Sequence, residues 1–448
     1  MSKKALTILI IVLAIIIIIF GFWYFNRGQR GDQGEGTNFD FIFNPFGKTT
    51  PKPPTTTPPA DVSGYVPPPE LETQAIKLRK VSSMPIAGFG IFMKERFKEA
   101  PNPSPSLPLS GEGNNPAPPA KGDSGGLKPT PPPTEFARAV RYVDRATGNI
   151  YQTFADIIDE RKFSTTIIPK VHEAYFANKG ESVIMRYLKE DARTIETFVG
   201  ALPKELLGGD TTDNNEVKGI FLPENITDVS VSPDTQKIFY LFLSGDGVVG
   251  VTADFLGSKK VQIFDSPFTE WLPSWPNVKT IALNTKSSGS ALGYLYFLDT
   301  SKKAVGKILG DINGLTTLTS PDGKLILYGN GTLSLNIFHT DTRSSDLLGV
   351  RTLAEKCVWA GGNDILYCAV PNSINGALYP DAWYKGEVSF ADAIWKIDLK
   401  SGTTTMLVNP VLVKGEEIDG IKLALDESEN YLFFVNKKDS FLWELELK

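Results

Sequence analysis

A short apolar strand, a turn rich in Pro, Asp, Gly and Asn, and a second apolar strand recur along this chain. The clear copies are DVSVSPDTQKIFYLF (228–242), WLPSWPNVKTIALNT (271–285), LTSPDGKLILYGN (318–330), CVWAGGNDILYCAV (357–370) and LALDESENYLFFVN (423–436). A weaker copy is HEAYFANKGESVIMRYL (172–188). Their turns fall near residues 178, 234, 276, 322, 362 and 428. A third strand follows several of them, as in GYLYFLDT (293–300), LNIFHTDT (335–342), IWKIDLK (394–400) and FLWELEL (441–447). A spacing of about 40–65 residues is the length of a propeller blade plus its loops. One such unit cannot bury its own apolar face, so the copies must stack on each other.

The turns carry a resemblance. Ser232-Pro233-Asp234 and Ser320-Pro321-Asp322-Gly323 match best, and Trp275-Pro276-Asn277 and Trp359 match in part. They resemble the WSPDG turns between strands a and b in TolB-like, WD-like β-propeller repeats. The resemblance covers roughly residues 73–448, repeat by repeat. It implies the fold far more than any activity. The chain departs from a soluble TolB in having a candidate membrane anchor and no room for a separate N-terminal domain.

Ring closure is legible at the ends of the chain. The last copy has strands a (421–427), b (431–438) and c (440–448), and then the chain stops. ETQAIKLRKVSS (72–83) supplies the missing outer strand d. MPIAGFGIFM (84–93) then opens the next blade, which 138–154 and 161–168 complete. Joining both ends in one blade leaves no exposed edge. The expected fold is all-β, a seven-bladed propeller over 73–448 closed by an N-terminal strand.

Residues 5–26, ALTILIIVLAIIIIIFGFWYFN, contain no charge. At 1.5 Å per residue such a helix crosses about 30 Å of hydrocarbon. No small-residue cleavage site follows; Phe20, Phe22, Trp23, Tyr24 and Phe25 follow instead, as an aromatic belt would. The segment reads as an uncleaved single-pass transmembrane helix, with residues 1–4 cytoplasmic. Lys3 and Lys4 before it balance Arg27 and Arg30 after it, so charge alone does not orient it. An N-terminal anchor with almost nothing before it leaves its short end inside, which places the body outside the cell membrane.

Two proline-rich stretches, 31–72 and 97–135, hold 20 of the 32 prolines, and neither can bury enough apolar surface to fold. The first belongs to a stalk over 27–72 and the second is a disordered insertion in the first blade. Within the stalk, Phe39, Phe41, Phe43 and Phe46 read as a segment resting at the membrane interface or as a strand that docks on a partner.

The only two cysteines, Cys357 and Cys368, flank the turn Gly361-Gly362-Asn363-Asp364. Centring the hairpin on Gly362-Asn363 sets them directly opposite, within disulfide range. An oxidising exterior fits that pair. The alternative is two reduced cysteines filling apolar space. A bond would stiffen the hairpin beneath the longest b–c loop, 371–392, which carries Tyr379, Trp383, Tyr384 and Phe390. These four aromatics are the candidate binding surface; the alternative is a lid packed on its own blade.

Catalytic chemistry is sparse. His172 and His339 stand far apart and outside any metal-ligand spacing. No G-x-S-x-G elbow, phosphate-binding loop or HExxH motif occurs. GDTTDNNE (209–216), with Asp210, Asp213 and Glu216, lacks the alternating ligands and central Gly of a calcium loop. The expectation is therefore no cofactor, no metal and no catalytic residue. A net charge of −5 gives no basis for nucleic acid as a partner. The leading expectation is a membrane-anchored binding module for an envelope protein, peptide or glycan. The alternatives are a carbohydrate-active lyase or hydrolase with its site in the funnel, and a structural spacer of an envelope assembly.

Overall fold

A computed structural model describes residues 77–98, 132–207, 215–224 and 226–448. Seven separate four-stranded sheets account for its strands. Six are formed by consecutive strands. Blade 1 is Ile86–Phe97, Thr134–Asp144, Ile150–Phe154 and Arg161–Lys162. Blade 2 is Val171–Ala177, Ser182–Leu188, Ile195–Ala201 and Lys218–Phe221. Blade 3 is Ile226–Val231, Lys237–Ser244, Gly247–Asp254 and Val261–Ser266. Blade 4 is Trp271–Asn277, Thr280–Thr285, Leu292–Asp299 and Val305–Asn313. Blade 5 is Thr316–Thr319, Leu325–Gly329, Ser334–His339 and Ser345–Arg351. Blade 6 is Cys357–Trp359, Ile365–Pro371, Asp392–Asp398 and Thr403–Val408.

Blade 7 joins the two ends of the body. Gly420–Leu425, Tyr431–Asn436 and Leu442–Glu446 supply strands a, b and c, and Leu78–Lys80 adds strand d. The register is Leu78 opposite Leu445, Arg79 opposite Glu444 and Lys80 opposite Trp443. Of the expected 72–83 strand, these three residues form the ladder. On either side of it the Lys77 carbonyl accepts from the Glu446 amide at 3.1 Å and the Val81 amide donates to the Leu442 carbonyl at 2.7 Å, while residues 72–76 lie outside the described set.

Stacking holds the ring together. Val143, Phe163, Val183 and Met185 share one apolar cluster between blades 1 and 2. Equivalent clusters join blades 2 and 3, 3 and 4, 4 and 5, 5 and 6, and 6 and 7. The seventh sets Val140 and Tyr142 of blade 1 against Phe433 and Leu442 of blade 7. That cluster makes the stack a closed circle.

The a–b turns show why Ser-Pro-Asp recurs. The Ser320 hydroxyl donates to Asp322 Oδ1 at 2.6 Å and accepts from the Leu325 amide at 3.0 Å. Gly323 adopts φ 75°, the left-handed region that glycine enters without steric cost. Ser232 and Asp234 repeat the same bonds in blade 3. These side-chain bonds satisfy turn backbone groups that the sheet ladder cannot reach.

Two expected boundaries move. In blade 1, strands a and b continue to Phe97 and begin at Thr134, with a further bond from the Lys98 amide to the Pro133 carbonyl at 2.9 Å. The ends of the expected 97–135 insertion are therefore β-ladder, and residues 99–131 lie outside the described residues. The outer strand of that blade is Arg161–Lys162, not 161–168. The expected membrane span and stalk also lie outside the described residues. Among the described residues no helix is long and apolar enough to cross a membrane.

Candidate functional site: the lidded mouth of the ring

Strands a lie innermost, and each begins where a d–a loop ends. The d–a and b–c loops therefore share one end of the ring. The 371–392 loop is the b–c loop of blade 6, and it covers part of that mouth. Beyond blade 6 it reaches blade 4, where the Gly289 amide donates to Asp381 Oδ2 at 2.6 Å. It also meets blade 7, where Lys437 Nζ donates to the Trp383 carbonyl at 2.6 Å.

Its foundation is a buried ion cluster. Cys357 pairs directly with Cys368, with Cα atoms 4.1 Å apart, and the two sulfurs are bonded. The preceding residue, Lys356, has no solvent exposure. Its ammonium pairs with Asp392 at 2.8 Å and with Asp419. Asp419 also accepts from Trp383 Nε1 at 2.9 Å, the Ser389 hydroxyl at 3.0 Å and the Phe390 amide at 3.1 Å. Lys356 Nζ stands 5.2 Å from the Trp383 ring centre and 5.1 Å from that of Phe390. Burial alone would raise the Asp419 carboxyl, but Lys356 and these donors hold it below the usual range. Asp392 keeps one oxygen without a partner, and burial pushes it up to about 6.

The sequence-nominated aromatics divide unequally. Tyr379, Trp383 and Phe390 are 3%, 5% and 2% exposed and share an apolar cluster with Leu333 and Leu353. They form the underside of a lid. Tyr384 alone keeps a solvent face, at 36%. Its hydroxyl is in reach of Glu355 and of Ser287 from blade 4, and burial of that hydroxyl raises its pKa. Burial likewise pushes the Glu355 carboxyl up to about 7, against the pull of Tyr384, Lys356 and Lys437. Glu355 Oε1 is buried without a hydrogen-bond partner.

A second polar group lies where the inner strands of blades 2, 3 and 7 begin. The Tyr175 hydroxyl donates to Glu173 at 2.6 Å, and Arg186 forms an ion pair with the same carboxylate. Arg186 also donates to the Ile226 and Thr227 carbonyls at 3.0 and 2.9 Å, tying blade 2 to blade 3. Burial works to raise the Glu173 carboxyl, but Arg186 and Lys422 outweigh it and leave it below its ordinary value. Asp228 is pushed up to about 7, first by burial and then by the charge of Glu173. Burial lowers Lys422, whose ammonium donates to the Ala87 carbonyl at 3.0 Å. At neutral pH this arrangement sets a carboxyl near its titration point in the field of an ionised carboxylate.

The histidines do not converge. His339 bonds Asp346 at 2.9 Å on an exposed strand, while His172 stands near Glu173 with its pKa lowered by burial. Among the described residues no group of three or more His, Cys, Asp or Glu is placed to hold a metal ion. Asp210 and Asp213 lie outside the described residues. Sequence reasoning missed Lys356, Asp392 and Asp419. The available signal was a carboxylate set just before an apolar run, as in Asp392-Ala-Ile-Trp and Asp419-Gly-Ile.

No family model matches the chain, and no curated protein matches it. Solved structures do. An oligogalacturonate lyase in complex with manganese aligns over 69% of this chain and 85% of its own, at 9% identity and TM-score 0.48. The oligogalacturonate lyase of Vibrio parahaemolyticus aligns over 70% and 86%, at 9% identity and TM-score 0.44. TolB from Acinetobacter baumannii aligns over 68% and 61%, at 9% identity and TM-score 0.37. At these values the likenesses carry no functional weight.

Proposed function

We propose that the protein is a binding module that its 5–26 segment anchors to the cell membrane and holds outside the cell. Its ligand, an envelope protein, peptide or glycan, docks at the lidded mouth of the ring. What supports this reading is the fixed position of the lid. The bonds from Lys356, Trp383, Ser389 and Phe390 to Asp419 hold the buried aromatics and leave Tyr384 at the rim. Polar groups set in advance on a rigid support lose little freedom on binding.

A second reading has its own observation. Burial and then the charge of Glu173 push the Asp228 carboxyl up, while Arg186 and Lys422 hold Glu173 down, the pattern by which paired carboxylates divide acid and base roles. That arrangement suits a glycan lyase or hydrolase.

One experiment separates the two. The purified protein is titrated against panels of envelope glycans and peptides, and each captured ligand is then examined for cleavage. Binding without turnover, weakened by Tyr384→Ala and unaffected by Glu173→Gln or Asp228→Asn, supports the binding module. Turnover abolished by Glu173→Gln or Asp228→Asn supports the enzyme.

A further inference from the structure

At the other end of the ring, where the a–b and c–d loops lie, blade 1 has an unusual edge. Its strands a and b are 12 and 11 residues long. Strand c pairs with strand b only from Ala139 onward. Residues 134–137 are paired to strand a on one side, and no described strand pairs with them on the other. Phe136, within that stretch, is 69% exposed.

Beside this edge is a cleft of about 220 Å³, lined in part by Lys94, Arg96, Phe154, Arg161 and Glu205. A single carboxylate, Glu205, collects several donors there. Its Oε2 pairs with Lys94 at 2.7 Å and with the buried Arg141 at 2.8 Å. Its Oε1 accepts from Arg161 and, at 3.2 Å, from Gln152. Burial pulls the Arg141 guanidinium down to about 10. Arg96 lies 4.8 Å from the centre of the Phe154 ring and is paired with Glu135 and Asp156.

We propose that this surface binds an acidic peptide in extended conformation. The peptide adds a strand to residues 134–137 and sets a carboxylate on Lys94 and Arg96, beside Glu205 at the cleft. The open edge supplies main-chain hydrogen bonds, the usual basis of strand addition. Side chains alternate across a strand, so every second residue of the added peptide points toward Lys94 and Arg96. Glu205 shows that Lys94 takes a carboxylate with a direct charge-assisted bond, and Lys94 has a further N–H to offer. The inference is independent of the mouth site, because none of its residues belongs to the lid.

The test is fluorescence anisotropy on the full chain in detergent micelles. The probe is a labelled synthetic peptide with aspartate at every second position. The expected result is saturable binding that weakens by about tenfold or more in three cases: asparagine in place of aspartate, a backbone N-methylated peptide, and the Lys94→Ala variant. Lys94→Arg should restore binding, and an unchanged melting temperature in Lys94→Ala excludes misfolding. Tyr384→Ala should leave this binding untouched, which keeps failure here distinct from failure of the mouth reading. No binding of the aspartate peptide, or equal binding of the asparagine peptide, overturns the proposal. So does displacement by a uronate polymer at lower concentration than by unlabelled peptide, which would assign the cleft to an acidic glycan.

Discussion

Arg79, in the first strand of the body, donates to the buried carboxylate of Glu444, 365 residues later in the chain. The two strands they sit on close the ring. Arg79 bonds Glu444 Oε1, Oε2 has no partner, and burial pushes the carboxyl up to about 7 even with Arg79 beside it. Without Arg79 that carboxyl moves higher still and is neutral at pH 7, so Arg79→Met should leave a buried polar group without its partner and cost about 1–3 kcal/mol by urea unfolding. Adding Glu444→Leu, which removes the stranded polar group, should recover most of that loss. A loss that the second substitution does not recover would mean Arg79 acts through packing rather than through this pair.

The raised carboxyls set a pH dependence of definite sign. Glu355 holds its proton up to about pH 7 in the folded protein, against an ordinary value of 4.5. Between those values the folded state binds more protons than the unfolded state. The contribution from this group is thus fully present at low pH and is lost as pH rises through that window. Glu355→Gln should gain melting temperature over the parent as pH climbs from about 4 to about 7, with little further change above. A gain that shrinks with rising pH would contradict the assignment.

Trp383 and Tyr384 are neighbours with opposite roles. Trp383 is buried in the lid cluster and donates to Asp419, so Trp383→Ala should cost about 3–5 kcal/mol of stability. Tyr384→Ala should cost less, about 1–3 kcal/mol for the buried hydroxyl's lost contacts with Glu355 and Ser287, and should weaken capture of a ligand at the mouth. Thermal scans and a binding assay on both variants check the division.

The Cys357–Cys368 pair should be fully oxidised in protein purified without reductant. Thiol labelling should find no free cysteine before reduction and two after it. Replacing both by serine should cost about 3 kcal/mol or less, because the closed loop is short. Free thiols in the native protein would contradict either the extracytoplasmic placement or the bond.

The repeats were readable because their signal is local. Ser320 and Asp322 cap their own turn, and Cys357 faces Cys368 across eleven residues of chain. Closure through Leu78 was readable because the last copy lacked a strand. The lid was not. Lys356 reads as a solvated lysine until Asp392, at the head of strand c of blade 6, and Asp419, just before strand a of blade 7, arrive on its ammonium. Whether Tyr379, Trp383 and Phe390 face water or pack inward depends on that cluster, not on their own spacing. The Glu173 and Asp228 pair is likewise assembled from neighbouring blades, at a distance that hydrophobic periodicity does not register.

Ligand docking against the lid at the mouth of the ring, as proposed, is best checked by hydrogen exchange with and without a ligand captured from the envelope panels. Exchange should slow around Ser287, Tyr384 and Lys437, in three different blades, with the outer strands unchanged. Protection confined to outer strands, or none near Tyr384, would contradict it.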